Sequence, residues 1–191
     1  MLEPELLPTI PEDEILNFLK SKREWIDGVC ITGGEPLLQQ DLIEFARKIK
    51  SLGFRVKLDT NGSLPERLEK AINSGVIDYI AMDVKAPPEK YLDLCKTSSA
   101  DPKIIKRTIE LIKRSRIDYE FRTTVLPCFT KSDIKAICEF IGNAKRYCLQ
   151  PFIPREKLVG TRFLNENPLS KETLKEFAAI AKPYFKEVLI R

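Results

Sequence analysis

Short apolar runs rich in β-branched residues alternate along the chain with longer stretches whose apolar residues recur every three or four positions. Thr9-Ile10-Pro11-Glu12 has the spacing of a capping box and opens a helix carrying Ile15, Phe18 and Leu19 on one face. Gly28 to Thr32 reads as a buried strand. The following helix carries Leu42, Phe45, Ala46 and Ile49 and stops at Gly53. Phe54 to Asp59 predicts a second strand. Ser63-Leu64-Pro65-Glu66 repeats the capping spacing ahead of Leu68, Ala71 and Ile72, and Asp78 to Asp83 predicts a third strand. Asp101 caps a helix with Pro102 at its first position and Ile105, Ile109 and Ile112 as its stripe. Tyr119 to Leu126 is a fourth strand ended by Pro127. Asp133 to Gly142 is a helix through Ile134, Ile137 and Ile141, and Arg146 to Phe152 is a fifth strand. Ile153 to Pro168 has no period and predicts a long loop. Ser170 caps a last helix with Leu174, Phe177, Ala178 and Ala181, and Val188 to Ile190 predicts a short sixth strand.

Strand and helix alternate at about 25–30 residues per unit, the spacing of βα repeats with right-handed crossovers and a mostly parallel sheet. Residues 1–191 read as one α/β domain. A βα array normally opens on a strand and this chain opens on a helix, so a first strand is expected to be missing. That leaves one sheet edge exposed, and an exposed edge invites dimerisation by strand pairing.

Composition narrows the function classes. Hydrophobic residues make up 43% and charged residues 31%, which suits a globule. The net charge of +4 is spread in mixed signs, which favours a solvated surface over a nucleic-acid face. No apolar run approaches the ~20 residues that span a bilayer, and the acidic N-terminus has no signal-peptide core, so a cytoplasmic location is expected. Cys30, Cys95, Cys128, Cys138 and Cys148 are widely spaced, with no C-x-x-C pair, and read as reduced thiols. The chain has no histidine, which removes imidazole metal ligands and Ser-His or Cys-His nucleophile pairs.

In a parallel α/β sheet, ligands bind at the carboxyl ends of strands. The five first strands end in polar groups: Thr32-Gly33-Gly34-Glu35-Pro36, Asp59-Thr60-Asn61-Gly62, Asp83-Val84-Lys85, Arg122 to Thr124, and Gln150. Such a rim suits a zwitterionic nucleoside. Gly33 and Gly34 let a ligand approach the backbone, and Glu35 with nearby carbonyls can accept from an ammonium group. Arg122 or Lys85 can meet a carboxylate. Asp59, Thr60 and Asp83 offer oxygens for ribose hydroxyls or a hard cation.

Gly33-Gly34-Glu35-Pro36 after a strand resembles the GGEP motif of radical SAM enzymes. Asp59-Thr60-Asn61-Gly62 and Asp83-Val84-Lys85 resemble the DTNG and DxK segments of glycyl-radical activating enzymes, which act on pyruvate formate-lyase or anaerobic ribonucleotide reductase. The resemblance runs from about Pro8 to Arg191. It implies a partial TIM-like (βα) barrel that binds S-adenosylmethionine (SAM). It implies that Gly33, Gly34, Glu35 and Pro36 lie at the methionyl amino group and that Lys85 and Arg122 lie near the carboxylate. Asp59, Thr60 and Asp83 would then surround a monovalent cation next to SAM, Asn61 of the same segment would belong to the cofactor-binding set, and Gln150 to Phe152 would approach the adenine. In the family, a CxxxCxxC loop holds a 4Fe-4S cluster, and SAM yields a 5′-deoxyadenosyl radical that installs a glycyl radical on a partner reductase or lyase. This sequence has no CxxxCxxC, so it reads as truncated at Met1-Leu2-Glu3-Pro4 and is expected to be inactive alone. Members of this kind often carry a His on a late strand, where this chain has Gln150-Pro151-Phe152-Ile153. The alternatives are a cluster-free SAM- or nucleotide-binding module, or a radical SAM enzyme acting on RNA or another substrate.

Overall fold

The computed structural model describes residues 9–95, 101–154 and 166–191. Within them the order is α1 (Glu12–Ser21), β1 (Gly28–Ile31), α2 (Leu42–Ser51), β2 (Arg55–Thr60), α3 (Pro65–Asn73), β3 (Tyr79–Asp83) and α4 (Tyr91–Cys95). It continues with α5 (Pro102–Arg114), β4 (Asp118–Val125), α6 (Lys131–Ile141), β5 (Ala144–Pro151), α7 (Lys171–Ala181) and β6 (Phe185–Ile190). The strands form one sheet in the order β1-β2-β3-β4-β5-β6, and every neighbouring pair is parallel. The sheet is open: β1 and β6 are its two edges among the described residues. The sixth strand, expected to be three residues long, runs for six.

Strict sequence order has a geometric consequence. Each crossover steps the same way, so crossovers of one hand place their helices on the same face. The helices accordingly touch in series, α3 with α5, α5 with α6 and α6 with α7. Strand side chains alternate between this face and the opposite one. Val56, Leu58, Ile80, Met82, Phe121, Tyr147 and Leu149 point under the helices and are fully buried. Burial of each aliphatic side chain of this kind contributes about 1.5–3 kcal/mol. The intervening positions, in register across the strands, are Lys57 and Asp59, Tyr79, Ala81 and Asp83, Glu120 and Arg122, and Arg146 and Cys148, of which only Ala81 and Cys148 are apolar. The helix-free face of the sheet is therefore polar and charged.

Several local expectations need correction. Thr9 caps nothing: Pro11 is the N-cap of α1, without a side-chain hydrogen bond. Phe18, expected on the core face, is 59% exposed. Ser63 does not cap α3, whose N-cap is Leu64 with Pro65 at the first helical position. Strand β1 is not buried but alternates between exposed and half-buried, because it is an edge strand with β2 on one side. Helix α6 starts two residues earlier than expected, under a capping box in which the Thr130 hydroxyl accepts from the Asp133 amide and Asp133 accepts from the Thr130 amide. Met1 to Pro4 and most of the loop at 153–168 lie outside the described residues.

Candidate functional site

The carboxyl ends of β1 to β4 carry two linked clusters, one on each side of the sheet. The first is built around Glu35. Strand β1 ends at Ile31, and the chain turns through Gly33 (φ +147°) and Gly34 into a 3-10 turn at Pro36–Leu38. The Glu35 carboxylate is buried and accepts from three donors in four contacts. They come from the Leu37 amide at 3.2 Å, the Asn61 amide at 2.7 Å, and the Thr60 hydroxyl at 3.0 and 3.2 Å to its two oxygens. Burial raises its pKa above the ordinary value, although these donors and the field of Lys85 work against the rise. Glu35 therefore ties the first strand-end loop to the second.

The second loop needs its own turn chemistry. The Asn61 side chain accepts from the Ser63 amide at 2.9 Å, and the Thr60 hydroxyl accepts from the Gly62 amide at 3.1 Å. Gly62 has φ +78°, a conformation that favours glycine, and a Cβ there would sit 2.1 Å from Met82 Cε and force that side chain to shift. The buried Thr108 hydroxyl on α5 donates to the Gly62 carbonyl at 2.7 Å. Thr60 and Asn61 thus use their side-chain oxygens to shape the loop.

The other cluster lies on the helix-free face. Arg122 donates from Nε to Asp83 at 2.8 Å and from Nη1 to Asp59 at 3.0 Å. Lys57 Nζ stands 2.8 Å from the second oxygen of Asp59, close enough for an ion pair but outside hydrogen-bonding geometry. Burial would raise the Asp59 pKa, but Lys57 and Arg122 outweigh it and bring it below the ordinary carboxylate value. Burial likewise opposes the Arg122 charge, and Asp83 and Asp59 more than compensate. The two carboxylates expected around a monovalent cation thus face the Arg122 guanidinium, while the Thr60 hydroxyl turns to Glu35 on the other side.

Of the remaining rim residues, Lys85 is exposed, and its amide is fixed by donation to the buried Tyr91 hydroxyl at 3.1 Å. Gln150 is half-buried on β5, beside Thr124 in register. Pro36 is buried in the 3-10 turn, whereas Gly33 and Gly34 are exposed. A Cβ added to either glycine would meet no atom within 4 Å, so the space over this turn is open. Lys57, Arg67, Tyr91 and Thr108 were not singled out from the sequence. Lys57 had a legible signal, two residues before Asp59 on the same strand face. Arg67 had none, since its acceptors lie 29 and 30 residues away.

A cavity of about 390 Å³ opens at the opposite, amino ends of β1 to β4, between Asp27, Arg55, Asp78 and Asp118. Asp78 is already paired with Lys50 and Asp118 with Lys145, and the cavity does not reach the loops described above. The five cysteines are all described and stand on separate elements: Cys30 on β1, Cys95 on α4, Cys128 after β4, Cys138 on α6 and Cys148 on β5. No group of three His, Cys, Asp or Glu among the described residues could hold a metal ion. No described helix is long and apolar enough to cross a membrane.

Comparison with known proteins adds three findings. Residues 3–141 match the family model described as the radical SAM superfamily. The chain is 38% identical over 171 residues to a Methanocaldococcus jannaschii protein whose name places it among glycyl-radical enzyme activating enzymes. That alignment covers 86% of this chain and 70% of the relative. A second protein of the same organism, similarly named, is 35% identical over 140 residues, and the match spans 69% of this chain but only 52% of the relative. Among solved structures, a domain of pyruvate-formate lyase-activating enzyme from Bacteroides vulgatus superposes with a TM-score of 0.63 at 19% identity. It covers 86% of this chain and 99% of that domain. Streptococcus suis SuiB bound to S-adenosylmethionine superposes with a TM-score of 0.70 at 13% identity over 96% of this chain and 44% of SuiB. At these identities the structural likeness speaks for the fold, an open partial barrel.

Proposed function

Because this chain belongs to the radical SAM superfamily, we propose that its carboxyl rim binds SAM as part of an enzyme that activates a glycyl-radical partner protein. The observation that carries this reading is the open Gly33-Gly34 turn, locked by Glu35 to the end of β2 and close enough to Lys85 to feel its charge. The turn's backbone carbonyls are the acceptors for the ligand's ammonium group, since the Glu35 carboxylate is fully engaged. Lys85, exposed and without a carboxylate partner among the described residues, is the cation for its carboxylate. Asp59 and Asp83 remain the candidates for a monovalent cation beside the ligand, with Arg122 as their resident counter-charge, while the Thr60 hydroxyl is held by Glu35. Gln150 is the candidate for the adenine side. Free cysteines suit a cytoplasmic setting, and the unpaired side of β1 is the edge for self-association.

When bound against a reduced 4Fe-4S cluster, SAM supplies the 5′-deoxyadenosyl radical that would abstract hydrogen from the partner's glycine. The described residues do not fit such a cluster, because no three thiolates converge. What these residues do is hold and orient the nucleoside. This same finding favours a second reading, a module that binds SAM without cleaving it.

One titration series tests the site. Gly34 has space for a side chain and no positive φ, so G34V fills the ligand's volume without straining the fold. SAM should bind the wild type, measured by calorimetry, and bind G34V at least tenfold more weakly at an unchanged melting temperature. Equal binding by both, or none by the wild type, sinks the assignment. Under dithionite the purified chain should release no 5′-deoxyadenosine, and its detection would show that a cluster does assemble.

A further inference from the structure

The Gly33-Gly34 turn has an unusual support. The space a side chain would fill at either glycine is empty, and the residues that follow them are held in place by hydrogen bonds. Glu35 is one hold, through Thr60 and Asn61. The other comes from α3. Arg67 Nη1 donates to the carbonyls of Leu37 and Leu38, both at 2.7 Å, at the carboxyl end of the 3-10 turn. These are carbonyls that a short helical turn leaves without intrahelical partners, and a cation suits that end of the turn. Arg67 makes no ion pair with a described carboxylate; the neighbouring Glu66 is taken by Arg107.

From this arrangement we propose that Arg67 is a positioning residue for the ligand-binding turn, acting from the side away from the ligand. The proposal rests on the SAM reading of the rim, which it deepens. The guanidinium bonds successive carbonyls from a helix that begins five residues after β2 ends. It thereby fixes the exit of the turn to the same βα unit that Glu35 fixes at its centre. With two anchors the glycine carbonyls are held in place before the ligand arrives, so binding does not spend free energy on ordering them. With one anchor, the segment pivots about Glu35.

The test compares R67L and R67K with the wild type. Arg67 is exposed, so R67L should fold with little change in melting temperature. In R67L the amides of Leu38 and Gln39, bonded to the carbonyls of Glu35 and Pro36, should exchange with deuterium at least tenfold faster. The SAM dissociation constant should rise about tenfold. R67K, whose ammonium can still reach a carbonyl, should fall between the two in both measurements. Unchanged exchange at Leu38 and Gln39 in R67L overturns the proposal, as does faster exchange with unaltered SAM affinity. A wild type that binds no SAM defeats the ligand reading instead, and the exchange comparison still decides whether Arg67 holds the turn.

Discussion

Two carboxylates at neighbouring strand ends are pushed in opposite directions by their surroundings. Glu35 is raised, chiefly by burial, so its contribution to stability is fully present below the ordinary value near 4.5 and is lost as pH rises through its higher folded value. Asp59 is lowered, because Lys57 and Arg122 overcome its burial. Its contribution is present above the ordinary value near 3.8 and is lost as pH falls through its lower folded value. Urea midpoints of the wild type relative to E35Q should therefore fall as pH rises from about 4 to 7, and relative to D59N should rise from about pH 2 to 5. Parallel trends in the two comparisons would contradict this electrostatic account. The positions of both residues were legible as strand-end polar groups. Their partners were not, because Glu35 meets Thr60 and Asn61 across 25 and 26 residues of sequence. Strand alternation places Lys57 beside Asp59, but nothing local says that Arg122 bridges Asp59 to Asp83.

At the scale of elements, caps divide into those the pattern foretells and those that neighbouring turns override. Asp101 and Ser170 cap α5 and α7 as expected, each accepting from an amide two or three residues on. Ser63 does not cap because Pro65 starts the helix and puts Leu64 in the cap position, one residue later, while the Ser63 amide belongs to the Asn61 turn. Thr130-Lys131-Ser132-Asp133 carries a readable capping signal, and it starts the helix at Lys131 rather than Asp133. Replacing Thr130 with Ala removes the hydroxyl that accepts from the Asp133 amide and donates to its carboxylate. The cost should be about 1 kcal/mol, read as a lower denaturation midpoint at constant slope. A loss indistinguishable from zero would mean that Asp133, also bound to Lys90 at 2.7 Å, holds the helix start unaided.

For the whole molecule, the alternation of strands and helices was enough to specify a parallel α/β array, since each period is a local property of the sequence. Openness was harder to read, because it depends on whether β1 meets β6, a relation between the two ends of the array. The free side of β1 is short, with Cys30 exposed on it. Pairing of that edge between two copies should appear as a concentration-dependent dimer in sedimentation, abolished by a proline at Cys30, whose N–H points away from β2. A strictly monomeric chain at high concentration would rule the pairing out. Across the helix-free face, Arg191 reaches back over β5 to the buried Glu120 of β4 with two bonds of 2.8 and 2.9 Å, joining strands that are not neighbours. Elsewhere the sheet adds its strands in the order in which the codons are read. A nascent chain leaving the ribosome can thus lay each strand against one already made, without waiting for its last residues, and the Arg191 clasp closes only when synthesis has reached it.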